Sequence, residues 1–157
     1  MRLYVVIEGP AAALASARAD ARHSGHELVD SFDGRAGVVC CGEITDLESA
    51  AQAVLAAVAG AGLIVRVTAT RDVTDQLLDD LHRLGPVDHR LGDTAPGALN
   101  SDQRALLDLL SNGMTLGTAA ATLSLSRRTA DRRLADARRV LGAATTAEAL
   151  VAYSSRR

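Results

Sequence analysis

Apolar positions are arranged in two different ways along this chain of 157 residues. Up to about residue 91 they form short, dense runs at Leu3–Ile7, Ala36–Cys41 and Leu63–Val67, with a weaker run at Glu27–Phe32. Runs of this length, bounded by turn formers, predict β-strands. Ala-rich stretches with helical spacing lie between them at about 11–23 and 46–60, and a third helix is expected from Asp72 to Leu84. Thr45 followed by Glu48 has the spacing of a capping box and sets the expected start of the second helix. Asp33-Gly34 suits a tight hairpin turn between the second and third strands. The order strand, helix, strand, strand, helix, strand predicts an α+β domain over residues 1–91 with the ferredoxin-like split β-α-β plait.

A competing arrangement follows if the weak second strand does not form at all: a small receiver-like parallel α/β sheet. Phosphorylation control is not expected in either case. Glu8 stands alone at the end of the first strand, and Cys40-Cys41-Gly42 fills the place where a receiver carries its phosphorylatable Asp.

The pattern changes after Gly92-Asp-Thr-Ala-Pro-Gly97, which lacks hydrophobic periodicity and marks a linker over residues 92–98. Residues 99–157 carry apolar stripes at helical spacing and predict an all-α unit of four helices. Asn100 or Ser101 can cap the first, which carries Leu106, Leu107 and Leu110 and stops at Asn112-Gly113. Thr115 caps the second, with Leu116, Ala119, Ala120 and Leu123 facing inward. Ser124-Leu125-Ser126 makes a turn, Ser126 caps a third helix closed by Gly142, and Thr145 with Glu148 forms a capping box for the fourth.

Two helices joined by a three-residue turn, the second rich in arginine, have the layout of a helix-turn-helix. At 100° per residue, Ala130, Leu134, Ala137 and Leu141 of the third helix fall on one side, and Arg128, Arg132, Ala135 and Arg139 within about 40° of the opposite side. A major groove admits one helix, and only the side turned away from the core reaches base edges. Arg127 and Arg138 flank that side near the phosphates, as does Arg133 on the other flank, closer to the core.

Charge supports the same division. Residues 1–96 carry 8 Arg against 14 Asp and Glu, and residues 97–157 carry 9 Arg against 5, so an overall charge of −2 hides an acidic half and a basic half. This is the balance expected of a nucleic-acid-binding module attached to one that does not bind nucleic acid.

The stretch from Leu99 to Tyr153 resembles the LuxR-type (GerE, FixJ or NarL-type) DNA-binding domain, without gaps. The matching positions are Leu99, Arg104, Leu107-Asp-Leu-Leu110, Gly113, Ala120, Leu123, Ser126, Arg128-Thr129, Leu141-Gly142 and Ala149. The resemblance implies a four-helix module in which the third helix, about 127–141, reads double-stranded DNA. It also implies Thr129 as a phosphate contact, Arg132 as a base contact, and a fourth helix that joins two copies through Leu150 and Val151. The family usually has Val, Lys and His where this chain has Ala130, Asp131 and Arg133, so its operator preference does not transfer. An acidic Asp131 beside DNA is expected to read a cytosine amino group or to orient a neighbouring Arg. The expectation is a bacterial, homodimeric transcription regulator.

Other chemistries find less support. His23, His26, His82 and His89 match no metal-ligand spacing, and no nucleophile, base and orienting group are set out for catalysis, so neither enzyme activity, a metal nor a cofactor is expected. Cys40 and Cys41 are adjacent and are expected to be reduced thiols on a strand. Gly9-Pro10 offers a small-ligand approach on fold analogy alone, or simply a strand-to-helix turn. RNA binding by the plait would use stacking aromatics, and residues 1–96 hold only Tyr4 and Phe32. The same shortage argues against an acyl-homoserine-lactone pocket. The acidic half offers a second reading as a module that contacts RNA polymerase or a sigma factor. With no apolar run of about 18 residues, no membrane span is expected and the protein is read as cytoplasmic.

Overall fold

The computed structural model describes residues 2–92, 95 and 97–156, in two compact units, Met1–Asp93 and Thr94–Arg157. Three residues of the expected linker, Asp93, Thr94 and Pro96, lie outside the described residues.

The first unit runs β1 (Tyr4–Glu8), α1 (Ala11–His23), β2 (Glu27–Val29), β3 (Val38–Ile44), α2 (Leu47–Val58), β4 (Gly62–Val67), α3 (Arg71–Leu84) and β5 (Asp88–Leu91). The strands form one sheet in the order β2-β3-β4-β1-β5, and every pairing is parallel. This corrects the plait, whose hairpin would set β2 against β3 antiparallel. Glu27 instead pairs in register with Val38 and Val29 with Cys40, so the chain doubles back between the two strands. The architecture is thus α/β with a five-stranded parallel sheet, nearer the competing arrangement.

The physical reason lies in burial. Tyr4, Val5, Val6 and Ile7 of β1, Val38 to Cys41 of β3 and Leu63 to Val65 of β4 are all buried, as strands covered on both faces must be, and such strands read as continuous apolar runs. Val5, Ile7, Val39, Cys41 and Ile64 pack against Leu14, Ala17 and Ala21 of α1. Tyr4, Val6, Cys40, Leu63 and Val65 pack on the opposite face against α2 and α3. Burial raises both thiols, most of all by desolvation; Asp33 adds to this at Cys40, while Arg18 beside Cys41 pulls the other way.

Asp33-Gly34 does not turn a hairpin. A Cβ on Gly34 would lie 2.6 Å from the Ala56 Cβ, so this glycine lets the β2–β3 connection lie against α2. β5 was not expected, because Asp88-His-Arg-Leu91 has no apolar run; it is an edge strand held by its register with Val5 to Glu8. The cap of α2 also shifts by one residue. Asp46, not Thr45, is the N-cap: its carboxylate accepts from the Ser49 amide at 2.8 Å, and the Ser49 hydroxyl reaches back to the Asp46 amide. These bonds, the Ser49 amide first, hold the Asp46 carboxyl below its usual range.

The described elements of the second unit are α4 (Ser101–Ser111), α5 (Leu116–Thr122), α6 (Arg127–Leu141) and α7 (Thr146–Ser154). Leu106, Leu107 and Leu110 meet Ala119, Leu134, Ala137, Leu141, Ala149 and Tyr153 in one core. The Tyr153 hydroxyl donates to Asp108 at 2.8 Å and ties α7 to α4. No described helix is long and apolar enough to cross a membrane.

Candidate nucleic-acid interface

The arginine-rich helix is launched by local bonds that can be followed one by one. Thr115 caps α5 by accepting from the Thr118 amide at 3.2 Å. The helix ends when the Leu125 amide donates back to Ala120 and the Ser124 amide to Ala121, the paired bonds of a Schellman stop. Such a stop puts one residue in the left-handed region, where glycine is favoured. Gly113 takes that position after α4 and Gly142 after α6, but after α5 it falls to Ser124, at φ 55°. Ser126 then opens α6, accepting from the Thr129 amide at 3.0 Å. The caps expected at Asn100, Thr115, Ser126 and Thr145 all form, and Gln103 completes a reciprocal box with Asn100.

Small residues let α6 sit deep in the core. Ala130 and Ala137 are fully buried on α6, as is Ala119 on α5, while Leu134 and Leu141 fill the space towards α4 and α7. Opposite this side, Arg128, Ala135 and Arg139 are exposed and Arg132 is half-buried, while Asp131 is exposed on the flank. Arg127 is exposed at the helix start, and Thr129 and Arg138 are half-buried.

Ion pairs set the electrostatics of this face. Arg127 reaches Asp131 at 3.3 Å, so this carboxylate orients an arginine one turn away. Asp136 is buried and accepts from Arg139 at 3.1 Å. Arg133 departs from its expected place: its side chain is only 8% exposed and bridges to Asp102 in the first turn of α4 at 2.8 Å. It is an internal strut between two helices, not the surface arginine expected beside phosphates. Neither carboxylate stands out in the sequence: Asp102, early in α4, reads as complementing the helix dipole, Asp136 reads as one more polar position in the middle of an arginine-rich helix, and nothing local couples Asp102 to an arginine on another helix.

On α7, Val151 is 72% exposed, whereas Leu150 is half-buried and packs against the core. The two expected dimer contacts therefore differ: Val151 is on the surface, and Leu150 also helps to hold the unit together.

At Gly9-Pro10, where a small-ligand approach or a strand-to-helix turn is expected, the chain after β5 lies close by. The connections after β1 and β4 leave towards opposite faces, the position where parallel sheets commonly bind ligands. Here the Gly92 amide donates to Glu8, and a Cβ on Gly9 would lie 2.9 Å from the Gly92 carbonyl oxygen. Arg66 donates to the Gly9 carbonyl and pairs with Glu43, each at 2.8 Å, while His89 meets Glu8 at 2.7 Å. This corner is a strand-to-helix turn braced by side chains. Among the described residues, no three His, Cys, Asp or Glu side chains gather as a metal site requires. No protein-family model matches the chain, and no curated protein matches it.

Proposed function

We propose that this protein is a sequence-specific, double-stranded-DNA-binding transcription regulator whose second unit is an all-α helix-turn-helix domain of LuxR type. α5 and α6 form the motif, and α6 enters the major groove. The observation that carries the reading is the division of α6 into two faces: Ala130, Leu134, Ala137 and Leu141 in the core, and Arg128, Arg132, Ala135 and Arg139 turned away from it, with Asp131 exposed on the flank. A helix held by one face with arginines on the other fits a groove whose base edges accept bidentate guanidinium contacts. In this reading Arg132 reads a base, and Arg127, Arg138 and Thr129 position the helix through phosphates. The net charge of +4 on residues 97–157 supplies the sequence-independent attraction. Two copies on a two-fold operator, in the cytoplasm of a bacterium, complete it.

The test is selection of genomic fragments by the purified full chain, followed by binding isotherms at several salt concentrations. A shared motif among the selected fragments, and affinity that falls steeply with salt, supports the reading. Equal, salt-insensitive binding to every fragment overturns it. A second reading, contact with RNA polymerase or a sigma factor, draws support from the acidic balance of residues 1–96, which suits a basic protein surface.

A further inference from the structure

Exposed large aliphatic side chains are concentrated in one place. Among the described residues five such side chains are exposed, and three of them, Leu47, Leu55 and Val58, lie on α2 at 63%, 68% and 59%. Ala51 is also exposed, and Val54 is only partly covered by the core beneath. The buried side of α2 is built from Ala50, Ala53, Ala56 and Ala57, so the larger side chains point away from the sheet. An ordinary surface helix shows the reverse arrangement.

The positions Leu47, Ala51, Val54 and Val58 are spaced four, three and four apart, which is the spacing of a seam between two packed helices. Leu55 lies beside that seam. The only charged side chain on the helix is Glu48, next to one end. We propose that this stripe is the contact between two copies of the chain, with α2 of one copy antiparallel to α2 of the other across a two-fold axis.

Three observations select a second copy as the occupant. A two-fold antiparallel pairing sets Leu47 against Val58 and Ala51 against Val54, so a larger side chain meets a smaller one at each level, and the surface is complementary to itself. The two Glu48 carboxylates then lie at opposite ends and do not meet. The rest of the unit is acidic, and the stripe, without charge apart from Glu48, is where two such units meet with the least repulsion. The choice of a second copy over another protein also rests on the DNA-binding reading, since two half-sites call for two reading helices. On α7 a single exposed aliphatic, Val151, offers much less surface for that task.

A seam one helix long falls short of the ~800 Å² per partner of a standard interface. The dimer should therefore be a weak one in solution, dissociating in the micromolar range, and be reinforced when both copies hold one DNA molecule.

Sedimentation velocity of the full chain without DNA, over a concentration series to about 100 μM, tests this independently of any operator. Expected is a reversible monomer–dimer equilibrium. Leu55→Asp should weaken it by at least about tenfold, with an unchanged circular-dichroism spectrum because the side chain is exposed. Orientation is read with two single variants, Leu47→Cys and Val58→Cys, and a short bis-maleimide. A mixture of the two should cross-link efficiently, each variant alone should not, and the native Cys40 and Cys41 are buried in the sheet. A chain that stays monomeric throughout the series overturns the proposal, as does a dimer that survives Leu55→Asp. Loss of dimer by Val151→Asp alone places the contact on α7 instead. Failure of DNA binding in a chain that still dimerises through α2 counts against the DNA reading alone.

Discussion

The two units of this chain hold their shape by different means. In the first, order comes from pairing between distant segments: β1 bonds to β4 and β5, and β3 bonds to β4. In the second, the start of each helix and most of the stops are written within a few residues of where they act, as at Asn100 with Gln103, Thr115, Ser126, Gly113 and Gly142. Locally determined structure can be read from local sequence, and structure determined by partners cannot. Two of the Asp–Arg contacts of α6 show the same contrast on a small scale. Arg127 to Asp131 is a neighbourly pair on one helix surface, whereas Arg133 to Asp102 joins two helices in a largely buried place.

The comparison can be broken or sharpened by experiment. The largest effect is expected at the centre of the sheet, where Ile64 is fully buried beneath α1. Ile64→Ala should lower unfolding stability by about 4 kcal/mol through lost transfer energy and the cavity left behind. Urea denaturation followed by circular dichroism measures this, and a loss under about 1 kcal/mol would mean that the sheet is not the first unit's main source of order.

Next comes the inter-helix pair. Asp102→Ala removes the carboxylate that bridges to the largely buried Arg133 guanidinium and should cost about 3 kcal/mol, whereas Asp131→Ala, which releases an exposed Arg127, should cost under about 1 kcal/mol. Equal losses in the same denaturation assay would contradict the division between strut and surface pair.

Under the proposed DNA-binding reading, operator recognition gives an effect of similar or smaller size. Arg132→Ala should lose about 1–3 kcal/mol of discrimination at one base pair, while Arg127→Ala should weaken all sequences alike and reduce the salt slope by about one unit. Isotherms on matched and single-mismatch operators separate the two; a uniform loss for Arg132→Ala removes it from base reading.

A smaller gain is expected at the turn before α6. Ser124 holds a left-handed conformation that costs a non-glycine residue energy, so Ser124→Gly should stabilise the second unit by up to about 1 kcal/mol. Thermal melting reads the change, and a clear fall in melting temperature would show that the serine side chain contributes more than the strain removes.

The smallest effect is a pH dependence at Asp46, whose folded carboxyl is held below the usual aspartate range by the Ser49 amide and hydroxyl. Its contribution is present above the unfolded aspartate value and is lost as pH falls through the lower, folded one. The stability difference between the native chain and Asp46→Asn should therefore shrink in acid, and a difference that grows there would reverse the sign.

Much of the arrangement was nonetheless legible in advance. The bounds of α1, the four helices of the second unit, and the separation of Ala130, Leu134, Ala137 and Leu141 from the arginine side follow from 3.6-residue periodicity and capping chemistry. These properties depend on residues three or four positions apart, so the sequence alone determined them. Strand direction, the edge strand β5, the position of Gly34 against Ala56 and the burial of Arg133 by Asp102 were decided only in the tertiary structure. A strand presents the same alternating or continuous pattern whichever way its neighbour runs. A charged side chain likewise carries no local sign of a partner on another helix, since the packing that desolvates such a pair exists only once the helices have met.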